Sequence, residues 1–289
     1  MNEITAKRLA VIRLLFEKGK AMSNEGEPMN GLCLLPFHDC VEMFLKLCAD
    51  EKGIQMQRNA SFMSYFDMIP ELQDKVQMNS LNSRRVSLKH HGQFPSTQDV
   101  AITRVNVIDF FEHNTPIFFS CKLDDVSLEV LIEYQEVRKY LSLYHDYVKQ
   151  GKYGEAQAQC QIAFQALLAS YHRKYNQKYS LKDGPAEGLR WLHGPNFEKQ
   201  VDEYLKTLKD AVESLNEAIS LMNLGINYYS YRGFVSKGPF TQRWAGMEED
   251  QYEYYIGDSS NYTIETANDC YQFVIDTALK LQGAKVFMN

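Results

Sequence analysis

The sequence predicts an all-α protein made of two helical bundles. Three observations carry that expectation. Apolar residues return every three or four positions through almost the whole chain, which gathers them on one face of a helix. Start and stop signals punctuate the pattern: Gly53, then Gly92 with Pro95 behind it, then Ser96 with Asp99 three positions on. The second half also repeats short pieces of the first in the same order.

The elements follow in order. Residues 4–20 read as an amphipathic helix. Residues 32–52 place Phe37, Val41, Phe44 and Cys48 at helical spacing, and Gly53 ends the run. Residues 61–78 give a weaker helix interrupted at Pro70. Residues 74–91 give a further helix, stopped by Gly92 and Pro95. Ser96 as N-cap and Asp99 in the first turn start a helix that should reach His113. Residues 114–127 carry Pro116, the apolar run that follows it and an acidic pair, and read as a connector or short strand pair. Helices resume over 127–150, 153–176 and 197–226. The last carries Val201, Tyr204, Leu205, Leu208, Val212, Leu215, Ile219 and Met222 on one stripe, as in a bundle. Residues 233–263 are rich in Gly, Tyr and acids and read as an insertion before a final helix over 264–282. The expected domains are therefore 1–113, a connector over 114–127, and 128–289.

The repeat rests on three matches. "CLLPF" (33–37) faces "CQIAF" (160–164), "MNSLNSRRVSLKHHGQFP" (78–95) faces "MNLGINYYSYRGFVSKGP" (222–239) without a gap, and "VID" recurs at 107–109 and 274–276. Together they predict a degenerate tandem repeat.

The chain has 289 residues, 45% hydrophobic and 24% charged, which suffices for one large core or two modest ones. Its net charge of −6 excludes a broadly basic surface of the kind that grips nucleic-acid duplexes, and leaves room only for a local basic site. The first helix carries Lys7, Arg8, Arg13, Glu17 and Lys18 among its apolar residues. It therefore suits neither a signal peptide nor a membrane span, and a cytoplasmic location is expected. The six cysteines contain no CxxC pair and read as reduced thiols.

The chemistry centres on "NSRRVSLKHHGQFPS" (82–96). On a helix, Met78, Leu81, Arg85 and Leu88 share one stripe, so Arg85 stands where an apolar residue belongs. A cation there needs a partner, because an unpaired buried charge is costly. Arg84 and His91 fall on the polar side and read as a solvated face. His90 follows Arg85 by five positions, about 140° around a straight helix. It sits at the helix C-terminus, where the dipole favours its protonated form.

An Arg followed after a few residues by a His, late in a helical bundle, resembles the HEPN superfamily (higher eukaryotes and prokaryotes nucleotide-binding). Arg85-x4-His90 fits the spacing, and "LLPFHDCVEMFLK" is similar to the long second helix of such bundles. The resemblance covers residues 4–113 and is weak over 127–282. It implies a metal-independent endoribonuclease of a bacterial defence or toxin system, acting without a cofactor, with RNA as substrate. It also implies a homodimer through the N-terminal bundle and a neutralising partner protein of the antitoxin kind. His90 would move the proton of a ribose 2′-OH or of the leaving oxygen, and Arg85 would stabilise charge on the phosphoryl oxygens. Lys89 would add phosphate affinity. Active members usually carry a polar residue after the Arg, and here it is Val86. In the second copy Arg85 faces Tyr229 and His90 faces Phe234. The alternative is a non-catalytic adaptor or ligand-binding module.

His38, Asp39 and Glu42 lie on the preceding long helix. Glu42 or Asp39 is expected to pair with Arg85, or His38 to join the site; otherwise the three form a polar helix edge. A carboxylate metal centre is not expected, since neither copy pairs Glu-x-x-His motifs on facing helices. His113, His145, His172 and His193 read as surface or satisfied core residues. "LRWLHGP" (189–195) reads as a helix end. The tyrosines of "DQYEYYIGDSSNY" stand among acids that disfavour RNA. The chain carries no P-loop, dinucleotide fingerprint or nucleophile elbow.

Overall fold

The structure is a computed structural model that describes residues 2–175, 195–242, 252–257 and 262–283, with side chains left out over 172–175 and 195–203. It is 76% helical, with ten α-helices among the described residues, in keeping with the all-α expectation. The chain divides into two compact units, Met1–Leu131 and Ile132–Asn289.

The first unit opens with α1 (Glu3–Ser23). The Asn2 side chain caps it by accepting from the Thr5 amide at 2.8 Å. A 3₁₀ turn (Met29–Cys33) leads directly into α2 (Leu34–Glu51), and α1 packs along α2. Gly19 makes that approach close: a Cβ there would stand 2.5 Å from Cδ1 of Phe37. The expected helix over 61–78 is instead a short α3 (Ser64–Met68) followed by an irregular stretch to Asp74. Pro70, with no amide proton to donate, stands in that stretch.

The helix α4 (Lys75–His91) matches its expected span, and Gly92 closes it in the left-handed conformation at φ 65°. Ser96 and Asp99 form a reciprocal capping box at the start of α5 (Thr97–Phe119). The helix α5 passes the expected end at His113 and runs through Pro116, so residues 114–119 are helical rather than an extended connector. Buried Asn114 holds this turn, accepting from the Gln73 amide at 2.9 Å and donating to the Phe110 carbonyl at 2.7 Å. Phe118 and Phe119 then pack their rings against Phe44, which also meets Phe110 and Phe111. Leu123, Val126 and Leu128 are buried as well, and Arg13 donates to the Val126 carbonyl at 2.6 Å. Residues 114–131 thus complete the first core.

In the second unit, α6 (Gln135–Lys149) begins later than expected, after a 3₁₀ turn at Glu129–Leu131 that belongs to the first unit. It packs along α7 (Tyr153–Tyr175), which is buried on nearly all sides from Ala156 to Leu167. The helix α8 (Pro195–Asn223) differs from a bundle helix: Tyr204, Leu208, Leu215, Ile219 and Met222 of its apolar stripe are exposed. The expected insertion over 233–263 takes in only the second half of α9 (Tyr228–Lys237), and it carries an antiparallel pair, β1 (Phe240–Gln242) with β2 (Glu253–Tyr255). The helix α10 (Ile264–Gly283) closes the unit, packing on α6, α7 and α9. No helix of the described residues is long and apolar enough to cross a membrane.

Candidate functional site

The site is built where α4 lies against α2 and α5. Met78, Leu81 and Leu88 are buried along one side of α4, and Arg85 joins that side half-buried, as its position on the stripe predicts. Its Nε is buried with no hydrogen-bond partner, and Arg85 makes no ion pair within 4 Å among the described residues. The expected pairing of Arg85 with Glu42 or Asp39 is therefore not formed. Glu42 instead accepts from Lys46, one turn along α2, through Oε1 at 2.6 Å. That bond comes first in holding its carboxyl below the usual range, with the Arg85 charge a lesser contribution.

His38 is the most enclosed member, 4% exposed, with its ring stacked on Phe62 at 4.5 Å. Its Nε2 lies 3.1 Å from Oδ1 of Asn82 on α4. Its Nδ1 lies 3.8 Å from Asp39 Oδ1 and 3.8 Å from Glu42 Oε2, too far for a hydrogen bond, and is buried without a partner. Burial first, and then the Arg85 charge, lower the His38 pKa from its ordinary value. The donor atoms of His38, Asp39 and Glu42 all lie within 4.8 Å of one another. Asn82 and Phe62 were not visible as site residues in the sequence. Asn82 precedes Arg85 by three positions, so the helical period places it near the same side of α4, but only the contact with α2 makes it a site residue.

The basic neighbours separate differently from the sequence expectation. Arg84 is half-buried and paired rather than part of a solvated face. It donates through Nε and Nη2 to Asp99 Oδ1 at 3.1 and 2.9 Å, and through Nη1 to Thr103 at 3.2 Å, tying α4 to the first two turns of α5. Its partner Asp99 keeps its carboxyl below the usual range, held first by the hydrogen bond from Ser96 and then by Arg84. The reason is tertiary: α5 turns its N-terminus back onto the polar side of α4. Lys89, His90 and His91 are exposed in the last turn of α4. Because α4 stays helical through His91, Arg85 and His90 leave the helix about 140° apart, and one chain does not bring them into one pocket. Val86 between them is exposed.

The ungapped match of 78–95 to 222–239 does not preserve burial. Met78 is buried and Met222 exposed, half-buried Arg85 faces exposed Tyr229, and exposed His90 faces buried Phe234. A turn at 224–227 separates α8 from α9 and shifts the helical phase. The matches Cys33 with Cys160, Phe37 with Phe164 and Val107 with Val274 are buried on both sides.

Elsewhere, His113 pairs with Asp74 at 2.8 Å, and His145 packs between the rings of Tyr144 and Tyr271. The side chain of His172, all of His193, and residues 189–194 of "LRWLHGP" lie outside the described residues, as do 250–251 and 258–261 of the tyrosine-rich loop. The cysteines are all free thiols, with Cys33 pushed up to about 11 by burial. Compared with known proteins, the chain matches no family model, no curated protein and no solved structure.

Proposed function

We propose that the chain is a HEPN-type endoribonuclease effector of a bacterial defence or toxin system, assembled from two copies that meet at α4 of their first units. The observation that carries this reading is Arg85: a guanidinium on an otherwise apolar stripe, with a buried Nε that the fold leaves unpartnered. A phosphoryl oxygen is a fitting guest for such a group. In the dimer, Arg85 of one chain stabilises charge on the scissile phosphate. His90, exposed at the C-terminal, negative end of the α4 dipole, which favours its protonated form, exchanges the proton of the 2′-OH or the leaving oxygen. Lys89 and His91 stand beside it and add affinity for the backbone. The resemblance of "LLPFHDCVEMFLK" and Arg85-x4-His90 to that family supports the fold assignment. The matched burial of Cys33/Cys160, Phe37/Phe164 and Val107/Val274 supports a degenerate second copy in the second unit.

A second reading, a non-catalytic HEPN adaptor or ligand-binding module, is favoured by the continuity of α4, which keeps Arg85 and His90 on different sides within one chain. RNA cleavage by purified protein in EDTA separates the two. The nuclease reading expects products with 2′,3′-cyclic ends and a loss of about 100-fold or more in His90→Ala. It expects a similar loss in Arg85→Met, a variant that keeps the stripe apolar and the chain folded. Growth arrest on expression should be relieved by both substitutions. Cleavage that survives in His90→Ala at the wild-type rate removes that residue from the mechanism.

A further inference from the structure

We propose that His38, Asp39 and Glu42 hold a divalent cation of the zinc class on the edge of α2. The proposal goes beyond the nuclease reading, since it needs neither His90 nor a second chain. It begins with the tautomer of His38. The atom facing Nε2 is Asn82 Oδ1, at 3.1 Å, and an amide oxygen only accepts. The Nε2 therefore carries the proton, and in the neutral ring Nδ1 presents a lone pair.

That lone pair points at two more sets of lone pairs. Asp39 Oδ1 and Glu42 Oε2 each stand 3.8 Å from Nδ1, and Nδ1 is buried with no other partner. Three donor atoms converging without a hydrogen between them repel, unless a proton or a metal ion lies among them. A second proton on His38 is opposed by its enclosure, since the ring is 4% exposed and stacked on Phe62 and has no water to solvate the charge. A metal ion feels the enclosure and the Arg85 charge as well, but its simultaneous bonds to the imidazole and both carboxylates offset them. Metal–donor bonds of about 2.0–2.2 Å place donors roughly 3–4 Å apart, and rotation of the Asp39 side chain, 57% exposed, closes the remaining gap. The exposed side leaves further coordination positions to water.

The choice of cation follows from the charge around the site. Lys46 already binds the other oxygen of Glu42, and Arg85 acts on the same carboxylate. The site is therefore poor in net negative charge and offers only two oxygen ligands from protein, which suits neither Ca²⁺ nor Mg²⁺. One imidazole with two carboxylates suits Zn²⁺, Co²⁺ or Ni²⁺. Asn82 takes the part of the outer partner that fixes the ring of a ligating histidine.

The test is calorimetric titration of the chelator-stripped 289-residue chain with Zn²⁺, in the absence of RNA, with visible absorption of the Co²⁺ form as a second readout. One cation per chain is expected. Asp39→Asn and Glu42→Gln, both on the accessible side and each verified as folded by circular dichroism, should weaken binding tenfold or more. Asn82→Ala should weaken it by a similar factor. Absence of saturable binding overturns the proposal. So does binding that these variants leave unchanged but that a His90→Ala/His91→Ala double variant abolishes. Because no RNA is present, neither result depends on whether the chain cleaves it.

Discussion

Burial against Phe62 first, and then the Arg85 charge, set the chemistry of His38. The guanidinium lies close enough to disfavour a second proton on the imidazole, and Phe62 covers the ring so that water does not rescue the charge. The consequence for stability has a definite sign. The folded-state pKa of His38 lies below its ordinary value of 6.5, so on acidification the unfolded chain takes up this proton first. The stability that neutral His38 contributes is present above about pH 6.5 and is lost as pH falls from there toward the folded-state pKa. The urea midpoint of wild-type protein should therefore fall more steeply between about pH 7.5 and pH 5.5 than that of His38→Gln. His113, whose pKa Asp74 raises, acts in the opposite direction, but it is present in both proteins and cancels in the comparison. Equal slopes for the two proteins would show that His38 is not held neutral.

Among the elements, α1 packs along α2, and Gly19 is a point where the two come close. A methyl group there meets the Phe37 ring, a fully buried side chain with no room to withdraw. Gly19→Ala should cost about 1–3 kcal/mol in urea denaturation, as overpacking does. Gly26→Ala, where a Cβ meets nothing within 4 Å, should stay within about 0.5 kcal/mol of wild type. The helix α5 shows the same dominance of packing over local signal. Pro116 lacks a hydrogen-bonding N–H and on local grounds should end the helix. Asn114 anchors the turn before it and Phe118 and Phe119 anchor the turn after it, and α5 continues to Phe119.

At the scale of the whole molecule, each unit has a core of its own. The first is the phenylalanine cluster of Phe16, Phe44, Phe110 and Phe111, closed by Leu123, Val126 and Leu128. The second is centred on α7, with Phe164 packed against Phe234 and Phe273. A chain ending at Leu131 retains every buried residue of the first core. Residues 1–131 expressed alone should unfold in one cooperative transition by circular dichroism and fluorescence. A chain ending at His113 removes Asn114, Phe118, Phe119 and the 123–128 closure, and should show no such transition. A cooperative 1–113 fragment would place the boundary back at the first expected position.

Helical period and capping chemistry, which are properties of neighbouring residues, determined the all-α class and the spans of α4, α7 and α10 to within a residue or two. The same period put Arg85 on the buried side of α4 from the sequence alone, because three apolar neighbours at 78, 81 and 88 define that side. Whatever depended on a second element was decided only by the tertiary structure. Arg84 is half-buried and paired because α5 presents Asp99 and Thr103 to it. Asn82 enters the site because α4 crosses α2 at His38, and nothing within either helix records that crossing. The match of 78–95 to 222–239 looked continuous as letters, yet a turn at 224–227 rotates the helix that follows and exchanges its inner and outer faces. A helix has a face only relative to what packs on it, and for α4 that is α2 and α5.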